Sequence, residues 1–263
     1  MVEYTFGFCV NGIVTCSCAV IGLFLNLITI FILTFKKDLY NLFNRLLLWL
    51  LWFDNCVLIT WILSRLYIDF EIRTNFFIWM FPYFTFPFGS IAQSASTFMV
   101  VALAHERYLA VRNPVKYNQS NVNPRTQSQR VMMYALPVVI FSIAYNIPFF
   151  LCFYIDEKPD GEIHVGVTDL RKNPLFVRYY INWTRFFVSG IIPFCTLFYY
   201  NFRFYNIIKL NSDRKRRLQT VRNTGHCAIR KTEDKERNMA IVMFGIVAIF
   251  LICHRLPTKI TQT

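Results

Sequence analysis

The 263-residue sequence is 55% hydrophobic and 18% aromatic, with only 16% charged residues. A soluble domain carries about a quarter charged residues, so this composition excludes an ordinary soluble enzyme and points to a membrane protein. The net charge of +13 would suit nucleic acid, but it collects in short stretches between apolar runs, which excludes that partner too.

Crossing a bilayer takes about 20 apolar residues at helical rise. Runs of that kind predict spans at 11–35, 42–66, 78–108, 131–154, 180–207 and 239–258 within one domain over residues 1–263. The first eleven residues lack the pattern of a removable signal peptide, so the first span is expected to direct its own insertion. That span holds Asn26 within Gly22-Leu-Phe-Leu-Asn26. The second holds Asp54 after Leu50-Leu-Trp-Phe. In the third, Phe86, Ser90 and Gln93 follow helical spacing, Ser96 comes a turn later, and Glu106-Arg107-Tyr108 closes the helix. The fourth carries Pro137 and Pro148, the fifth Pro193, and the sixth Phe250, Cys253 and His254 with Pro257 behind them. Prolines are tolerated in spans because neighbouring groups satisfy the freed carbonyls, usually with a kink.

The loops differ in sign. Lys36, Lys37 and Arg45 flank the first loop, and Arg112, Lys116, Arg125 and Arg130 the third. The fifth carries Arg214-Lys215-Arg216-Arg217, Arg222, Arg230, Lys231, Lys235 and Arg237. The second and fourth mix charges, with Asp69, Glu71 and Arg73, then Asp156, Glu157, Lys158, Asp160, Glu162, Asp169, Arg171 and Lys172. Basic residues in alternate loops predict that the odd loops are cytoplasmic and the N-terminus extracellular. The basic loops also suit anionic membrane lipid. The eight cysteines, Cys9, Cys16, Cys18, Cys56, Cys152, Cys195, Cys227 and Cys253, fall mostly inside apolar runs and do not form a disulfide scaffold pattern.

Polar groups inside a span cost several kcal/mol unless partnered, which makes Asn26, Asp54 and Arg107 candidates for function. Each also has a bland reading: helix packing for Asn26 and Asp54, an interfacial anchor for Arg107. Their order is more telling. Gly22-x-x-x-Asn26, Leu50-x-x-x-Asp54, Glu106-Arg107-Tyr108, Ile192-Pro193-Phe194 and Phe250-x-x-Cys253-His254 resemble the rhodopsin-like (class A) G-protein-coupled receptors. Three further segments resemble the invertebrate FMRFamide and neuropeptide receptors within that family. They are Ile91-Ala-Gln-Ser-Ala-Ser96 leading into His105, Tyr145-Asn146-Ile147-Pro148, and Trp183 ahead of Ile192-Pro193-Phe194-Cys195 and Asn201.

The sequence also departs from the family. Phe81-Pro82-Tyr83 stands where the family has a cysteine, and residues 155–178 contain no cysteine to pair with it. His254 replaces a tryptophan, and Pro257 comes one residue late. The chain stops at Thr263 with no Asn-Pro-x-x-Tyr, so the expected fold is an all-α membrane protein, a seven-transmembrane bundle truncated after its sixth helix.

The resemblance implies a multi-pass receptor of the plasma membrane, not an enzyme, with an extracellular peptide ligand and a heterotrimeric G protein as partners. It gives Glu106, Arg107 and Tyr108 to activation and G-protein coupling, and Asn26, Pro193, Phe250 and Cys253 to helix packing. Phe86, Ser90, Gln93 and His254 would meet ligand. Asp54 and Ser96 resemble the family's sodium site, and no other cofactor is expected. Acidic residues Asp156, Glu157, Asp160 and Glu162 would steer a basic peptide or simply form a solvated loop. The alternatives are a non-signalling receptor fragment and a six-span transporter or channel, although no internal repeat or pore-loop pattern appears. An intramembrane hydrolase is disfavoured, because His105 and His254 lie at no zinc or Ser-His spacing.

Overall fold

A computed structural model describes residues 12–36, 41–115, 117, 124–157 and 163–221, with the side chains of 124 and 212–221 left aside. The sixth expected span at 239–258, with Phe250, Cys253, His254 and Pro257, lies outside the described residues. So do Cys9, Cys227, Lys37, Lys116, Lys158, Asp160, Glu162 and the basic residues from Arg222 onward.

Five described helices are long and apolar enough to cross a membrane: α1 Gly12–Phe35, α2 Leu42–Ile68, α3 Asn75–Arg112, α4 Arg125–Leu151 and α5 Phe176–Asn211. Each overlaps an expected span. Within the apolar window of α1 only 6% of residues are buried, against 50% in α3. Exposed Phe24, Leu25 and Phe31 on α1 fit contact with lipid tails, which solvate apolar side chains as well as protein does. The backbone of α5 stays helical to Val221, so the basic run at 214–217 lies on a helical extension.

Local sequence explains where the helices begin, end and widen. Asn41 caps α2, its side-chain oxygen accepting from Asn44 N–H at 2.9 Å. At the other end Ile72 N–H reaches back to Leu66 O at 3.1 Å, with Glu71 left-handed at φ 51°. A left-handed backbone of this kind is usually left to glycine. Near its start α3 widens into a π-turn over Phe81–Thr85, where Phe86 N–H bonds Phe81 O. Pro82 has no N–H to give to the regular ladder, and a wider turn accommodates the gap. Similar π segments occupy Phe176–Thr184 and Phe186–Ile191, the second just ahead of buried Pro193.

The fourth span was expected to reach residue 154. Instead α4 tightens into a 3-10 turn at Ile147–Leu151, and the chain turns into strand β1, Phe153–Glu157. It pairs antiparallel with β2, Ile163–Val167, placing Tyr154 opposite Gly166. A methyl group at Gly166 would collide with the Tyr154 ring, so this pairing needs glycine. The hairpin is fastened at its base. Thr168 N–H donates to Cys152 O at 3.1 Å, and its hydroxyl donates to Leu151 O at 2.7 Å.

The described residues fall into two compact units. The first takes those of Met1–Val100 and Asn123–Arg185, and the second those of Val101–Val122 and Phe186–Thr263. In the first, Gly89 lets α3 approach α2 closely, for a Cβ there would sit 2.9 Å from Thr60 Oγ1. Arg45 Nη1 joins α2 to α4 by donating to Ser128 Oγ at 2.8 Å. Phe149, Cys152 and Ile181 form a buried cluster, packed against Phe86, Phe153, Phe176 and Tyr180. In the second unit Leu197 and Phe204 of α5 are buried, as are Leu103 and Tyr108 of α3.

Candidate functional site

The first unit holds a cleft of about 250 Å³ lined by Asn26, Asp54, Val57, Leu58, Gln93 and Ser96. The Ser96 hydroxyl of α3 donates to Asp54 Oδ1 of α2. Both residues were singled out from sequence, and the fold brings them together. Asn26 of α1 and Gln93 of α3 add two side-chain amides to the same wall. A carboxylate, a hydroxyl and two amide oxygens make a donor set of the kind hard cations favour. The residue beside Asp54 was missed: Asn55 is 3% exposed, with neither amide atom hydrogen-bonded among the described residues.

The residues expected to meet ligand separate. Gln93 faces the Asp54 cleft. Ser90 is buried, and its hydroxyl donates to Phe86 O one turn earlier at 3.0 Å. Phe86 meets Phe149 edge-on at 5.4 Å and Phe153 at 5.0 Å between ring centres. His254 lies outside the described residues.

Above these, a polar chain ties α3 to α4. Asn146 Nδ2 donates to Ser94 Oγ at 2.9 Å and to Ser142 O at 2.7 Å, while Ser94 donates to Ser90 O at 3.0 Å. Asn146 is fully buried, which gives Tyr145-Asn146-Ile147-Pro148 a structural role. The Tyr145 carbonyl, beside the 3-10 turn, accepts from the Tyr180 hydroxyl of α5. Burial pushes the Cys152 thiol above its ordinary pKa, against a downward pull from Arg171. That thiol is protonated and poorly nucleophilic at neutral pH. Next to this cluster the Arg185 guanidinium lies 5.5 Å from the Phe149 ring centre. Neither Arg171 nor Arg185 was marked out by sequence motif; only the folded contacts reveal them.

In the second unit, Glu106 is 0% exposed and Tyr108 5%, whereas Arg107 between them is exposed. Successive residues on a helix point about 100° apart, so neighbours in one tripeptide reach different surroundings. Glu106 and Tyr117 are among the groups acting on Arg107 electrostatically. Tyr108 accepts from Arg112 Nη1 at 3.2 Å, and its ring lies 5.7 Å from that of Tyr200. His105 also meets Tyr200, at 5.1 Å. The described residues contain no cluster of three or more His, Cys, Asp or Glu side chains able to hold a metal ion.

Comparison with known proteins adds two findings. The family described as "7 transmembrane receptor (rhodopsin family)" matches residues 25–263. A protein of Drosophila melanogaster named "FMRFamide receptor" is 28% identical over 262 residues, covering 95% of this chain and 45% of its own length. The chain therefore spans less than half of that relative.

Proposed function

This chain belongs to the rhodopsin family of seven-transmembrane receptors, and from that premise we propose that it passes an extracellular signal, a peptide of the FMRFamide type, to a heterotrimeric G protein. The observation that carries the reading is the end of α3. Glu106 and Tyr108 are buried, while Arg107 between them is exposed. The ligand class rests on the likeness to the Drosophila receptor and on the Tyr145-Asn146-Ile147-Pro148 segment.

Signalling is a two-state equilibrium, and ligand shifts it only by binding one state better. Arg107 is assigned to the G-protein contact, with Glu106 as its resting neighbour. The cleft at Asp54 is assigned to sodium. Asp54 and Ser96 would hold the ion with oxygen from Asn26 and Gln93, and its charge would neutralise a carboxylate that is expensive within a membrane. The odd loops face the cytoplasm and the N-terminus lies outside the plasma membrane.

The test uses the full-length gene product containing this chain, expressed in cultured cells. Second-messenger release is expected to rise with dose of Phe-Met-Arg-Phe-amide; no response to any peptide ending in Arg-Phe-amide sinks the ligand assignment. Topology is tested separately by epitope tags. A tag after Ser212 stains only after permeabilisation, and staining of intact cells reverses the orientation.

A further inference from the structure

Two guanidiniums on the extracellular side of the first unit have no acid partner among the described residues. Arg171 sits on the one-turn helix Asp169–Lys172 after the hairpin, and Arg185 on α5. Arg185 stacks near Phe149, and the charged and titratable groups acting on it are Tyr145, Tyr180 and Arg171. Arg171 Nη1 is buried with no hydrogen-bond acceptor among the described residues. Neither arginine has a carboxylate partner among those residues, since Asp169 faces Lys172 at 3.9 Å.

This is an expensive arrangement. An aromatic face offsets part of the desolvation of one guanidinium, but it does nothing for the repulsion between two. A buried N–H left unbonded carries the full cost of its desolvation. A planar carboxylate removes both penalties at once, because its oxygens accept from guanidinium N–H groups while its charge separates the two cations.

We propose that Arg171 and Arg185 together form the subsite for a carboxylate of the peptide ligand, bordered by Phe149 and Tyr180. The proposal rests on the receptor reading and names a recognition element that a peptide known only by its Arg-Phe-amide end does not supply. That end brings a further guanidinium, which these two arginines repel. Because the proposed ligand is amidated, the carboxylate comes from an acidic side chain; a free C-terminus is the alternative that the probes test.

The purified full-length protein in lipid nanodiscs is titrated with three capped dipeptides: acetyl-Glu-Phe-amide, acetyl-Gln-Phe-amide and acetyl-Gln-Phe with a free carboxylate. At least one acid is expected to bind about tenfold more tightly than the neutral amide, a difference of about 1.4 kcal/mol. A preference for the first acid assigns the side chain, and for the second the terminus. In Arg171→Gln and Arg185→Gln that preference falls to within about twofold, with melting temperature as the folding control. The wild-type comparison stands even if a variant fails to fold. Equal affinity of all three probes, no binding of either acid up to about 10 mM, or a preference that survives both substitutions overturns the subsite. A normal response to Phe-Met-Arg-Phe-amide alongside such a result leaves the receptor reading intact and removes only this inference.

Discussion

The two units treat polar side chains in opposite ways. In the first, several polar side chains bond one another or a nearby carbonyl. Asn146 holds Ser94, Ser94 holds Ser90 O, Tyr180 holds Tyr145 O, and Ser96 holds Asp54. In the second, the polar residues at the end of α3 divide between inside and outside, with Glu106 enclosed and Arg107 presented. Hydrogen bonds between helices fix their register, whereas a side chain at the surface can be reached from outside.

That contrast breaks most visibly at Arg107. Arg107→Ala is expected to abolish the second-messenger response while surface protein and melting temperature stay unchanged. Asn146→Leu should do the reverse. It strands the Ser94 hydroxyl's acceptor capacity and removes the bond to Ser142 O, costing about 1–3 kcal/mol and lowering surface protein. Signalling by Arg107→Ala at matched surface level, or full expression of Asn146→Leu, would erase the distinction between the units.

Asp54→Asn tests whether the first unit has one site for an ion among its internal bonds. Sodium is expected to raise the melting temperature of the wild type over that in a large organic cation, and to leave the variant unmoved. An equal sodium effect in both would make Asp54 a packing residue bonded to Ser96. A smaller effect follows at the hairpin base, where Thr168→Val removes the hydroxyl bonds to Leu151 O and Cys152 O. The expected loss is about 1 kcal/mol, read as faster amide exchange at residues 163–167 with the helices unaffected. Uniform loss of protection across α4 would show that the hairpin and α4 open together. The smallest change is a gain. Glu71→Gly relieves a left-handed backbone and should stabilise by about 0.5–1 kcal/mol, seen as a modest rise in melting temperature. A fall would mean that the Glu71 side chain does something its backbone does not reveal.

The helices were legible in sequence because membrane spans are set by composition and length, and both are local. Asp54 and Ser96 were legible together because their positions carry a family pattern that encodes a contact. The hairpin was not. Its strands are five residues each, they contain Asp156, Glu157 and His164, and their pairing depends on Tyr154 lying over Gly166. Phe86 illustrates a different limit. Helical spacing placed it with Ser90 and Gln93, but Gln93 lines the cleft at Asp54 while Phe86 joins Phe149 and Phe153. Spacing defines a stripe on one helix; only packing decides what lies against each part of it. The widened turn at Phe81–Thr85 adds a rotation that uniform helical counting does not contain.

The Thr168 clasp has a practical consequence. Residues 155–178 hold no cysteine, and Cys152 at their edge is enclosed and protonated. The hairpin base is therefore held by main-chain and hydroxyl bonds that thiol reagents do not touch. Those bonds form whatever the redox state of the medium, so a reducing cell-free translation mix is expected to leave the hairpin base intact.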